Sequence, residues 1–270
     1  MHFSRLFRGP VVVLGFVISG FLLGGCARMP ASTTSTTRAK LLTVTLKYRG
    51  ALNINKQPQG NYYYVVINRT DVQSDFGPVP TLAPPWGGNG IAAPSQGDGQ
   101  GFVAIVRYER NLSTIGGLEV GVTTDSSGNL INPTSPGFGA RSFTVVGPPD
   151  RILSLPEQGG DANTISFQLD LGRLPNPQAR YVQLNFISQN SLPQGVENVE
   201  KVWDALGDGT QTGSINNPLT IDTTQNPTIY NDQQISTSRE PASDTRDRLL
   251  DLRDDASLDL VDWTVQVRDP

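Results

Sequence analysis

Leu42, Val44, Leu46 and Tyr48 alternate with Thr43, Thr45, Lys47 and Arg49. A period of two sends successive side chains to opposite faces of an extended chain, so this run can bury one apolar face as a strand but not as a helix. The pattern returns at Ile165, Phe167, Leu169 and Leu171, at Val182, Leu184 and Phe186, and at Val261, Trp263, Val265 and Val267. Such strands belong to antiparallel sheets with one wet face. Tyr62 to Ile67 and Phe102 to Val106 are instead continuous apolar runs, expected centrally and covered on both sides. Further strands are expected at Leu118 to Thr123, Arg141 to Val146 and Leu219 to Asp222, with a hairpin turn at Asp125-Ser126-Ser127-Gly128-Asn129.

About eight to ten strands of this kind suggest a sandwich. With 28 glycines, 20 prolines and only 17% charged residues, the expected fold is an all-β antiparallel β-sandwich with long Gly/Pro-rich loops and at most one short helix. That helix is expected over Ser243 to Arg253, after Pro241, with Asp244 and Arg248 four residues apart and apolar residues at Leu249, Leu250 and Leu252. No repeat of solenoid or propeller length is visible. Residues 41–270 are read as one domain, with a division within 147–160, at Gly147-Pro148-Pro149, as the alternative.

The first 25 residues follow a different logic. Arg5 and Arg8 stand in a start without acids, Pro10 to Gly25 carries no charge, and Leu23-Gly24-Gly25-Cys26 follows at once. A basic start, a short apolar middle and small residues at the end form an export signal, whereas a membrane-spanning helix needs about 20 apolar residues. The four residues Leu23 to Cys26 resemble the lipobox of bacterial lipoproteins. The resemblance covers the signal segment only. It implies that residues 1–25 are removed, that Cys26 is acylated, and that the mature chain is anchored on the extracytoplasmic side of an envelope membrane, where several acyl chains hold stably and one does not. Ala27 stands where an aspartate would imply inner-membrane retention, which leaves the outer membrane open. Residues 26–40 are then a lipidated cysteine and a Ser/Thr-rich tether with no apolar period.

Charge and residue inventory bound the function. The net charge is −4, and losing Arg5 and Arg8 takes it to −6, so nucleic acid is not expected as a partner and a membrane is reached through the anchor alone. The single histidine is His2 and the single cysteine is Cys26. A mature domain without either has no Ser-His-Asp or Cys-His nucleophile and no His- or thiolate-bound metal. Binding, carboxylate chemistry and oxygen-ligated calcium remain.

Three segments are candidates. Gly77 to Gly101 holds seven glycines and five prolines, with Trp86 inside Pro84-Pro85-Trp86-Gly87-Gly88. A connection that long is functional or disordered, and the Trp86 ring either stacks on a sugar or partner or plugs the end of the sandwich. Asp204 and Asp208, in Asp-Ala-Leu-Gly-Asp-Gly, offer two carboxylates beside glycines for a ligand or calcium, without the spacing of an EF-hand. Asp244, Asp247, Asp251, Asp254, Asp255 and Asp259, mixed with Arg246, Arg248 and Arg253, read as a solvated face. Glu109, Glu119, Glu157, Glu197, Glu200 and Glu240 read as isolated acids, so no pair for a glycosidase is visible. Asn68-Arg69-Thr70 and Asn111-Leu112-Ser113 match the glycosylation sequon and read as strand-end polar residues. The order of elements from Asn163 to Gly209 resembles extracellular ligand-binding β-sandwich modules in shape and transfers no residue.

The expected protein is therefore a lipid-anchored envelope module that binds or scaffolds, with no catalytic residue and no resident cofactor. Its expected partners are an envelope protein or a polysaccharide. The alternatives are a glycan-binding module using the Trp86 loop and a carboxylate-based glycan hydrolase.

Overall fold

The computed structural model describes residues 40–270 apart from 58–59, 74–76, 81–91, 94–102, 111–116, 125–141, 193–198, 212–216, 226–227 and 248. In chain order the strands are β1 (Leu41–Tyr48), β2 (Tyr62–Thr70), β3 (Val79–Pro80), β4 (Ala92–Ala93), β5 (Ala104–Tyr108), β6 (Glu119–Thr124), β7 (Ser142–Gly147), β8 (Arg151–Ser154), β9 (Thr164–Asp170), β10 (Tyr181–Gln189), β11 (Val202–Ala205), β12 (Leu219–Asp222), β13 (Thr228–Asn231), β14 (Arg246–Asp247) and β15 (Leu260–Arg268). All pairings among them are antiparallel. One sheet runs β13-β15-β1-β9-β8, and the other runs β14-β11-β10-β2-β5-β6-β7 with β12 also on β10. The two pack face to face as an all-β sandwich.

The alternating runs line the interior. Leu42, Val44, Leu46 and Tyr48 of β1, Ile165, Phe167 and Leu169 of β9, and Trp263, Val265 and Val267 of β15 share one core with Tyr63, Val65 and Ile67 of β2 and Val182, Leu184 and Phe186 of β10. Aromatic rings bridge the sheets, Phe186 to Trp263 at 6.0 Å and Tyr48 to Tyr63 at 5.1 Å, both edge to face. The outward positions of the first sheet carry hydroxyl and amide pairs, such as Thr45 Oγ1 with Ser166 Oγ at 2.7 Å. At the start of β15 the register with β1 shifts, so that Tyr48 faces Leu260 and Asp262 faces Lys47. Val261 is the extra residue, and Leu260 takes its expected place in the core.

β10 departs from the wet-faced strand expected of it, because all nine residues are buried. Several of its polar side chains are bonded internally. Asn185 Nδ2 donates to Pro78 O at 2.9 Å and its Oδ1 accepts from Leu206 N at 3.1 Å, while Gln183 Oε1 accepts from Asn68 Nδ2 at 2.8 Å. The sequon asparagine Asn68 is thus a buried cross-strand partner, not a strand-end residue. Arg69 is buried too, and its guanidinium donates to the carbonyls of Leu171, Pro177 and Ala179, holding the connection from β9 to β10. Within the Gly/Pro-rich stretch, β3 and β4 form a small ladder of their own. The expected hairpin turn at 125–129 lies outside the described residues.

The helix expected over 243–253 does not form. Arg246 and Asp247 pair instead with Trp203 and Val202 as β14, and Ser243 and Leu250 have left-handed φ of 69° and 66°. The physical reason lies in the aspartates. Asp244 is drawn inside by a bond from Gly209 N, and the Asp247 carboxylate accepts from Leu249 N and Asp251 N, which bends the chain into a turn. Leu249, Leu250 and Leu252 are left exposed on that turn.

Candidate functional site

Asp204 belongs to the inward face of β11, where the alternation of Val202, Asp204 and Leu206 points side chains between the sheets. Its Oδ1 accepts from Ala205 N at 2.9 Å and its Oδ2 from Leu260 N at 2.8 Å, the latter reaching across to the other sheet. Asp259, directly before β15, accepts through Oδ2 from Ser243 N at 2.8 Å and from Arg49 Nε. Asp244 accepts through Oδ2 from Gly209 N at 2.8 Å. The three residues are 0–1% exposed, and one carboxylate oxygen from each lies within 4.8 Å of the others.

Glu240 extends the cluster, accepting from Gly207 N at 2.7 Å. Asp244 Oδ1, Asp259 Oδ1, Glu240 Oε2 and the nearby Tyr48 Oη are all buried without a hydrogen-bond partner among the described residues. Burial raises Asp244 to about 7, against the opposing bond from Gly209 N. Burial also pushes Asp204 and Glu240 well above the usual carboxylate range, and the negative charges of their acidic neighbours add to it. Burial likewise raises the Tyr48 phenol, with Tyr63, Asp204 and Glu240 contributing.

The Asp-Ala-Leu-Gly-Asp-Gly turn provides the frame. Gly207 has φ of 114°, a region that disfavours side chains, and this turns its N–H toward Glu240. A Cβ on Gly209 would stand 2.4 Å from Asp244 O, so only glycine lets the two backbones meet this closely. The glycines serve to present N–H groups to acids from another segment. Asp204 and Asp208 are not brought together. Asp208 is half-buried, and its oxygens are taken by Thr210 N at 2.8 Å, the Thr210 hydroxyl and Gln211 Nε2 at 2.6 Å.

No protein-family model, curated protein or solved structure matches the chain. The site is therefore read from its own geometry. Above the cluster opens a cleft of about 900 Å³, whose wall includes Asp208, Gln211, Asn217, Asp232, Arg239 and Glu240. Glu240 belongs to both, lining the cleft while the charges of Asp204 and Asp244 act on it. The donor set is oxygen only, which suits a hard cation and not zinc or copper.

Two sequence expectations need correction here. The acidic stretch is not uniformly a solvated face, because Asp244, Asp247 and Asp259 are buried while Asp251 and Asp254 are exposed. Nor do Glu109, Glu119, Glu157 and Glu240 stand isolated. Glu240 joins the cluster, Glu119 and Glu109 both pair with Arg107, and Glu157 accepts from the Tyr108 hydroxyl. The sequence carried one usable signal, the polar Asp204 at an inward position between Val202 and Leu206. Cys26 and Trp86 lie outside the described residues.

Proposed function

We propose that the chain is a lipoprotein of a bacterial cell envelope, held by acyl chains on Cys26, whose β-sandwich binds a ligand without transforming it. The basic start, uncharged run and Leu23-Gly24-Gly25-Cys26 support the anchor. The cleft is the observation that carries the binding reading. Its volume of about 900 Å³ falls in the range of small-ligand sites. Its lining of carboxylates, amides, a hydroxyl and a guanidinium matches a polyhydroxylated ligand such as an envelope polysaccharide better than an apolar one.

The acids on the cleft wall serve as braces. Asp208 holds Thr210 N, Asp232 accepts from Glu240 N at 2.6 Å, and Glu240 holds Gly207 N. Carboxylates tied to backbone amides support a binding wall in preference to an acid and base flanking a scissile bond. A second reading, from the sequence alone, is that the Trp86 ring stacks on the glycan.

Retention of the full-length chain on envelope polysaccharide tests this reading. Replacing Arg239 by Ala should weaken retention about tenfold, the ~1.5 kcal/mol of one charge-assisted hydrogen bond, with the unfolding temperature unchanged. Trp86→Ala should weaken it further. Unchanged retention in both variants sinks the glycan reading, and reducing ends released from the polysaccharide would replace it with hydrolysis. For the anchor, the intact mass of native material should show residues 1–25 gone and Cys26 acylated, and a retained Met1 contradicts it.

A further inference from the structure

We propose that Asp204, Asp244 and Asp259 form a calcium site that joins the two sheets at one end of the sandwich. The proposal concerns the interior of the fold and is independent of the anchor and of the ligand in the cleft. The three oxygens lie within 4.8 Å of one another, so a point between them is at most about 2.8 Å from each, close to the calcium–oxygen range of about 2.3–2.6 Å.

The cluster carries more than its negative charge. Asp244 and Asp259 each commit Oδ2 to a backbone N–H, from Gly209 and Ser243, which fixes the carboxylate and leaves Oδ1 as the oxygen available to a ligand. Both Oδ1 atoms are buried and have no donor among the described residues, on side chains that are 0% exposed. A buried acceptor without a donor costs about 1–3 kcal/mol, and more when charged. Two such oxygens on a third carboxylate form a coordination set. Charge agrees with this. The Arg49 guanidinium, shared between Asp259 and Asp254, faces Asp204, Asp244, Asp259 and Glu240, so acids exceed bases at the cluster and a dication would balance them.

The chemistry of the set selects the ion. Oxygen ligands exclude the softer metals that seek nitrogen or sulfur. Magnesium demands oxygens at about 2.0–2.1 Å, whereas the longer calcium bonds of about 2.3–2.6 Å suit oxygens spread over as much as 4.8 Å. Glu240, shared with the cleft, marks the side from which the ion enters. A bound ion would tie β11 and the start of β14 to the start of β15, and so to the opposite sheet.

The test uses the full-length chain in detergent, stripped with EDTA and titrated with calcium chloride or magnesium chloride by calorimetry and thermal unfolding. One calcium per chain is expected, with an unfolding temperature raised by several degrees and magnesium bound at least about tenfold more weakly. Asp244→Asn should lower calcium affinity by about tenfold or more, while Asp208→Asn, whose oxygens are held by its own turn, should stay within about twofold. If Asp244→Asn fails to fold, the titration of the unsubstituted chain decides. Absence of binding heat together with an unchanged unfolding temperature at millimolar calcium overturns the site, as does an Asp208→Asn loss equal to that of Asp244→Asn.

Discussion

At the residue scale, Lys201 gives the fold a pH dependence. It is fully buried, and burial pulls its ammonium down from 10.5 to about 7. Between those two values the unfolded chain holds a proton that the folded chain has lost, so stability rises with pH across about 7 to 10.5 and the penalty is complete below the lower end. Lys201→Met removes this titration and should flatten the rise of stability across that window. Denaturant titrations of both proteins at pH 6 and pH 10 check this, and equal slopes with pH in both would refute it. Gly209 gives a second prediction, about packing. A methyl there meets Asp244 O at 2.4 Å, and Gly209→Ala should cost about 1–3 kcal/mol in the same assay, an effect a merely convenient glycine would not show.

Residue-scale features were also the least legible in sequence. Asp204, Asp244 and Asp259 lie far apart in the chain, and only the pairing of β11 with β14 and the bond from Leu260 N to Asp204 bring them together. An aspartate among arginines, as in 244–254, reads as solvated because charged side chains seldom go inside unpaired. The backbone N–H donors that permit burial here, from Gly209 and Ser243, leave no mark on composition.

At the element scale, strands with a clean period of two were read correctly from side chains alone, as β1, β9 and β15 show. Of the four-residue strands only β12, expected over Leu219 to Asp222, is legible. β8 and β13 have four residues each, and β11 carries an aspartate among apolar neighbours, too little pattern to separate a strand from a loop. The segment at 243–253 shows the reverse error, where helical spacing lost to side-chain bonds from Asp244 and Asp247. Leu250 distinguishes the two conformations sharply. It is exposed with φ of 66°, so Leu250→Gly should stabilise the protein by about 0.5–1 kcal/mol by relieving a left-handed leucine. In a helix the same change would destabilise by about 1 kcal/mol, so the sign of the shift in unfolding midpoint discriminates between them.

At the scale of the whole molecule, the sandwich is held by one apolar core along most of its length and by carboxylates and N–H groups at the β11 end. The two regimes differ in what they require. An apolar core needs only surface removed from water, whereas a cluster of buried acids needs matching charge. The fold class followed from periodicity because the core obeys the first rule, and the site stayed hidden because it obeys the second. Diffraction from crystals grown in calcium would test the charge balance most directly. A peak is expected at about 2.3–2.6 Å from an oxygen of each of Asp204, Asp244 and Asp259, lost after soaking in chelator. Carboxyl groups bonded directly to one another, with no ion among them in either crystal, would contradict it.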